Sequence, residues 1–471
     1  MIMIQCSCEG NSEYQMQRLN LFDRIFKLFL FSLFFMLPVT MRTSVVASFG
    51  QLVGYVVIVV GVLYLFRSGK RCLPKLLIAL VGIVLLWQMI SLFNSIIYHS
   101  AFGLVGGEDT FRAILGPSYF LIYDVFFLLF FVFIARKASN VKQDIIDVFE
   151  TVLNVEIIVG YLQLFMMKGV PGFLALYDFI NIGQIFMPSD IIIEMQRVPM
   201  TGSEPAAMGT LLCILLFPYL LSFIPNNMIK RKYRFIKLVL CGLLCFFTFS
   251  STLYVMGASL VGMYLLRGTL YKPQRRKIVT MLISGGLVVL WLLLSFSVSY
   301  SLRREGSYTS SFQYVFVDKL FDFNNQSTAH RWSTTVNDLR IIKDYPVLGV
   351  GNGNQGFLYA ANIPNYMQGN EKTRAMMQGD FGVVNGGAFL FAILSGYGIL
   401  GILPLVWWGW VYFHYVRSKN IMPQIQTWLF LTTLPILIML LTSSMDLSVL
   451  FVLSMPFWAV QDEKTNSILS Q

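Results

Sequence analysis

Long apolar runs, parted by short polar segments, recur along almost the whole chain. Twelve of them fall at roughly 24–40, 48–66, 73–98, 116–135, 146–166, 204–224, 236–250, 252–267, 278–298, 387–414, 426–442 and 445–460. About twenty residues at a helical rise of 1.5 Å cross the hydrocarbon of a bilayer, whereas barrel strands would read as alternating segments of about ten. Within lipid every backbone N–H and C=O needs an internal partner, so continuous runs of this length read as helices. The seventh and eighth runs are short and separated by Ser251 alone, which predicts a tight hairpin or two tilted, kinked helices. The pattern predicts an all-α, polytopic integral membrane protein. Residues 1–298 hold nine transmembrane helices with short loops, 299–386 form one large extracytoplasmic loop, 387–460 hold three more helices, and 461–471 are a polar cytoplasmic tail.

Charge orients this layout. In the short loops, one side carries Arg67, Lys70, Arg71, Lys75, Arg136, Lys137 and Lys142, the cluster from Lys230 to Lys237, the cluster from Arg267 to Lys277, and Arg417 and Lys419. The other side carries Arg42, Arg112, Lys168 and Arg197. Nineteen cations against four place the first side, and with an even span count both termini, in the cytoplasm. The net charge of +11 is spread over these clusters and forms no single patch, which argues against nucleic acid. Only 13% of residues are charged, about half of what a soluble chain carries. The first run starts near Arg24 with no small-residue cleavage site after it, so no cleavable signal is expected. The six cysteines precede or lie in or beside spans, and His99, His330 and His414 are far apart, so neither a disulfide framework nor a metal or other cofactor is expected.

Two outer segments carry candidate chemistry. Before the sixth run, Gln196 to Pro205 sets Arg197 and Glu204 among Pro199, Gly202 and Pro205. Arg197 suits an anionic headgroup, because a guanidinium offers planar, paired hydrogen bonds to phosphate. The competing structural reading is an interfacial ion pair in which Glu204 complements the helix N-terminus. In the large loop, Trp332, Val336, Leu339 and Ile342 fall at helical spacing between Arg331 and Lys343, which predicts an amphipathic helix lying on the membrane. Pro346 stops it, and Gly349-Val350-Gly351-Asn352-Gly353 follows as a glycine turn. The bland alternative is a surface helix with solvated Arg331, Arg340 and Lys343. Asp124 and Glu156 fall inside spans, where an acid is costly and is either functional or hydrogen-bonded to a neighbouring helix. Glu108, Asp109 and Arg112 read as solvated loop charges.

The segment at 197–205, together with Arg331-Trp332 and the later Asp344-Tyr345-Pro346-Val347-Leu348-Gly349-Val350-Gly351-Asn352-Gly353, resembles the O-antigen polymerase and O-antigen ligase superfamily. A fainter echo lies in Phe389–Gly401, which ends Gly396-Tyr397-Gly398-Ile399-Leu400-Gly401. The resemblance implies a large-loop, GT-C-like membrane glycosyltransferase of the bacterial inner membrane. It implies an undecaprenyl-pyrophosphate-linked oligosaccharide as donor and acceptor, without metal or sugar nucleotide. By the same resemblance Arg197 and Arg331 bind the leaving pyrophosphate. Arg340, Gly349 and Gly351 line the substrate site, and Glu204, His330 and Asp344 are candidate bases. The bilayer is a partner, and whether a chain-length regulator and a flippase are partners stays open.

The sequence departs from that superfamily's pattern at two places, and the first chooses within it. Gly382 to Gly387 contains no histidine where ligases carry one, which favours a repeat-unit polymerase over a ligase. Ser250-Ser251-Thr252-Leu253 lacks the arginine that many relatives place after the serine. A secondary transporter or a lipid-linked oligosaccharide flippase is the reading from another class, since twelve spans suit one. Against it, no matching halves are visible.

Overall fold

The structure is a computed structural model. It describes residues 24, 27, 28, 30, 31, 89, 93, 94, 141–182, 186–202, 205–267, 279, 282, 283, 285–293, 326–351, 355, 358, 389–417 and 423–442. The predicted second, fourth and twelfth spans lie outside the described residues, as do most of the first and third. Glu108, Asp109, Arg112, Asp124 and the 382–387 stretch also lie outside them.

Among the described residues every regular element is helical and no strand occurs. They are α1 (Val141–Met167), α2 (Phe173–Ile180), α3 (Ser189–Met195), α4 (Pro205–Leu211), a π turn at Leu212–Leu216, and α5 (Phe217–Ser222). Then follow α6 (Met228–Phe246), α7 (Ser251–Arg267), α8 (Gln326–Asp344), α9 (Phe389–Arg417) and α10 (Pro423–Thr442). Among the described residues one helix, Pro423–Leu441, is long and apolar enough to cross a membrane by length and composition; Met208–Ser222, Thr252–Arg267 and Leu390–Leu403 are shorter apolar helices.

The core forms where α10 packs against α7, the π turn and α5. Trp428 of α10 is fully buried, and Tyr219 meets it edge-on at 5.5 Å while meeting Phe149 of α1 at 5.2 Å. Such edge-to-face ring pairs add about 0.5–1.5 kcal/mol beyond the area they bury. The π turn sits just ahead of Pro218, which has no N–H to give to the preceding turn. Phe217 instead donates to Leu212 O, five residues back.

Two predicted boundaries move for identifiable reasons. The seventh run was expected at 236–250, but α6 begins at Met228. Asn227 caps it, its side-chain oxygen accepting from Ile229 N at 2.9 Å and Lys230 N at 3.2 Å. The helix therefore runs through the basic cluster. Arg234 in that cluster is buried, where its Nε donates to Glu150 of α1 at 2.8 Å and its other nitrogens reach Glu150 and Phe223 O. α6 and α7 are parted by Phe247 to Ser250, with Phe249 held at a φ of 50°.

The tenth run was expected to be one span at 387–414. α9 covers it but breaks at Gly398, whose φ of 64° and ψ of −161° stop the helical ladder. The loop after α8 fills the break with main-chain bonds. Val350 N donates to Ser395 O at 3.0 Å and Gly351 N to Gly396 O at 2.8 Å. In return Ile399 N donates to Pro346 O at 2.9 Å and Leu400 N to Val347 O at 3.4 Å. Asn94 fastens the same loop from another helix, donating to Leu348 O at 3.0 Å. Two glycines make the approach possible. A Cβ on Gly349 would lie 2.5 Å from Gly396 C, and one on Gly398 would collide with Val347.

Gly398→Ala combines a left-handed φ with a backbone collision, and we expect a loss of about 2–4 kcal/mol. Gly409→Ala, on the same helix with open space where its Cβ would go, is the control and should be neutral or mildly stabilising. Thermal unfolding of the two purified variants in one detergent checks the contrast.

Candidate functional site

The 196–202 segment before α4 is a strap laid across α1. Val198 to Gly202 are all buried in it. Gln163 of α1 holds Met200 by both main-chain groups: Met200 N donates to Gln163 Oε1 at 2.9 Å, and Gln163 Nε2 donates to Met200 O at 2.9 Å. Gln163 Nε2 also reaches Tyr177 Oη at 3.1 Å, and that hydroxyl donates to Met187 O at 2.7 Å. Burial, with a smaller push from Asp178 and against the hydrogen bond from Gln163, drives the Tyr177 phenol up to about 12, so it stays protonated and donating.

Two turns back on α1, Glu156 is fully buried and accepts from Thr201 N at 3.2 Å and from Thr201 Oγ1. Val198 N donates to Phe247 O at 3.0 Å, joining the strap to the α6–α7 break. The buried acid thus serves as a hydrogen-bond acceptor, and its partner is the strap rather than the neighbouring helix of one of the two sequence readings.

These bonds set where Arg197 sits. Gln196 closes α3 at a φ of 51°, and Val198 is pinned on the other side, so Arg197 is fixed at both flanks and half-buried. Glu204 lies outside the described residues, so the ion-pair reading with Arg197 receives no geometry. α2, earlier in the chain, leaves Leu174, Leu176, Phe179 and Ile180 exposed while burying Tyr177.

The large-loop helix is present as α8 and is longer at its start than the expected Arg331–Lys343 stretch. Its apolar stripe is only partly covered by protein, with Val336 and Ile342 half-buried. Trp332 is 39% and Leu339 49% exposed, while Ser333, Thr334, Asn337 and Asp338 are fully buried. A helix in water places these faces the other way round. The buried side packs on α9, where Ser395 Oγ donates to Asp338 Oδ1 at 2.7 Å.

His330 and Arg331 occupy the first turns of α8; their side chains lie outside the described residues. Arg340 and Asp344 are exposed on the helix, Asp344 at its end. Gly349 and Gly351 are buried, and their N–H groups are used within the protein, on Tyr345 O at 3.2 Å and Gly396 O at 2.8 Å. They were expected to line a substrate site; here they bring the loop against the α9 break. The structure brings the late-loop motif and the Gly396–Gly401 echo into contact, and brings 197–201 onto α1. Sequence reasoning passed over Gln163, Asn337, Asp338 and Ser395. A glutamine seven residues from an acid inside an apolar run was the available signal for the first.

No protein-family model, curated protein or solved structure matches the chain.

Replacing Gln163 with Leu leaves the Met200 N–H and C=O unpaired in a buried place, each costing about 1–3 kcal/mol. We expect Gln163→Leu to lose about 2–4 kcal/mol, read as a fall in melting temperature. A change in melting within experimental scatter would show that the strap is held by something else.

Proposed function

We propose that the chain is a polytopic protein of a bacterial cytoplasmic membrane, with about twelve spans and one large outer loop, that polymerises undecaprenyl-pyrophosphate-linked oligosaccharide repeat units on the outer face. The observation that carries this reading is the outward apolar side of α8, the helix on which Arg331 lies. A helix at a membrane surface turns its apolar side to lipid and its polar side to protein. The exposed leucines, isoleucine and phenylalanine of α2, close in sequence to Arg197, support the same placement for the other outer segment. Both candidate arginines then belong to segments at the level where a lipid diphosphate lies.

In that reading the acceptor hydroxyl oxygen bonds to the anomeric carbon of the donor. The bond from that carbon to the pyrophosphate oxygen breaks, and the hydroxyl proton passes to a base. Negative charge grows on the departing pyrophosphate, and fixed guanidinium groups lower the barrier by meeting it. Glu204, His330 and Asp344 remain the candidate bases. Asp344 is exposed at the far end of α8.

A secondary transporter or lipid flippase is the second reading, and one observation favours it. Discontinuous helices, as at Gly398 and at Phe247–Ser250, are a habit of transporter sites. The two readings separate in cells. Deleting the gene should leave single repeat units on the surface glycan, and Arg197→Ala or Arg331→Ala should do the same while protein still accumulates. Normal chain length in both arginine variants would remove them from the site. Movement of lipid-linked saccharide in liposomes without chain growth would favour the transporter.

A further inference from the structure

We infer that the buried side of α8, centred on Asn337, is a binding site for a hydroxyl-rich saccharide. Asn337 is fully buried, and both its Nδ2 and its Oδ1 lack a hydrogen-bond partner. Buried amides are paired as a rule, and an orphan in a folded protein calls for a reason. Asn337 is also not isolated. Ser333, Thr334 and Asp338 are fully buried on the same side of the helix, and Ser395 of α9 donates to Asp338 at 2.7 Å. Trp332 and Leu339, the apolar residues that would be cheaper to bury on this side, point outward instead. The polar side lies beside the α9 segment whose ladder stops at Gly398, three residues after Ser395.

The donor and acceptor set chooses the ligand. A free carboxamide offers two donors and an acceptor together. A metal cation would use only the oxygen and leave Nδ2 unpaired, and an anion would meet the Asp338 carboxylate. A sugar hydroxyl both donates and accepts, so neighbouring hydroxyls on a ring answer Oδ1 and Nδ2 at once. The inference rests on the polymerase reading only for which saccharide arrives, namely the acceptor end of a lipid-linked repeat unit. Arg331 lies two turns before Asp338 on the same helix, so a donor pyrophosphate held there and an acceptor sugar held at Asn337 would share one element.

The test is Asn337→Leu in the full-length protein in lipid nanodiscs. The probe is the oligosaccharide freed by mild acid from lipid-linked units of the source strain, with binding read by saturation-transfer NMR. Leucine keeps the volume and removes the orphaned amide, so melting should be unchanged or raised. Oligosaccharide affinity should fall at least about tenfold, as expected when a site built for hydrogen bonds loses them. Should the leucine variant fail to accumulate, Asn337→Ala is read in the same way. Equal binding by wild type and variant, or binding by neither, overturns the inference. Loss of binding in the variant, with normal glycan chain length in cells lacking the gene, keeps this site and removes the polymerase reading instead.

Discussion

A helix that breaks inside an apolar environment must find partners for the backbone groups it frees, and this constraint organises the late half of the described protein. Unpaired N–H and C=O groups there cost several kcal/mol each. α9 breaks at Gly398, and the 346–351 segment supplies four main-chain bonds across the gap. The bonds run both ways, two donated by the loop and two by the helix. The loop that follows α8 is therefore built into α9, and α8 is held by backbone rather than by side-chain packing alone. Gly349 and Gly398 allow this contact because no side chain fits between the two strands of backbone.

The 196–202 strap meets the same constraint with side chains. Gln163 acts as a substitute peptide for Met200, matching its donor and acceptor. Glu156 serves Thr201, and the α6–α7 break lends Phe247 O to Val198. Both conspicuous motifs thus lie against an interruption in a helix. A segment carrying Arg197 and a helix carrying Arg331 are each fixed by buried hydrogen bonds, which suits a site whose charges need to stay put while substrate charge changes.

The helical class was legible because unbroken apolar runs admit little else, and most described boundaries fall near the expected ones. The start of α6 was missed because loss of hydropathy was taken for loss of helix. Asn227 caps the basic turn, and Arg234 finds Glu150, so helix and charge coexist there. The break in α9 was visible only as a glycine-rich end to an apolar run. Its meaning needed the partner loop, fifty residues away in sequence. α8 was recognised by period, yet which side faces inward cannot follow from period alone. Trp332 and Leu339 face out because Ser395 and the α9 backbone offer polar company to the other side. Gln163 escaped notice because one glutamine hardly alters the hydropathy of a 27-residue helix.

The proposed glycan chemistry needs both arginine-bearing segments held still, and the main-chain joint between the α8 loop and α9 is what fixes the later one. Hydrogen–deuterium exchange of the full-length protein in nanodiscs, followed at Val350, Gly351, Ile399 and Leu400, measures that joint directly. Slow exchange is expected at all four amides, comparable with the buried middle of α10. Rapid exchange at these positions, with α10 still protected, would contradict it.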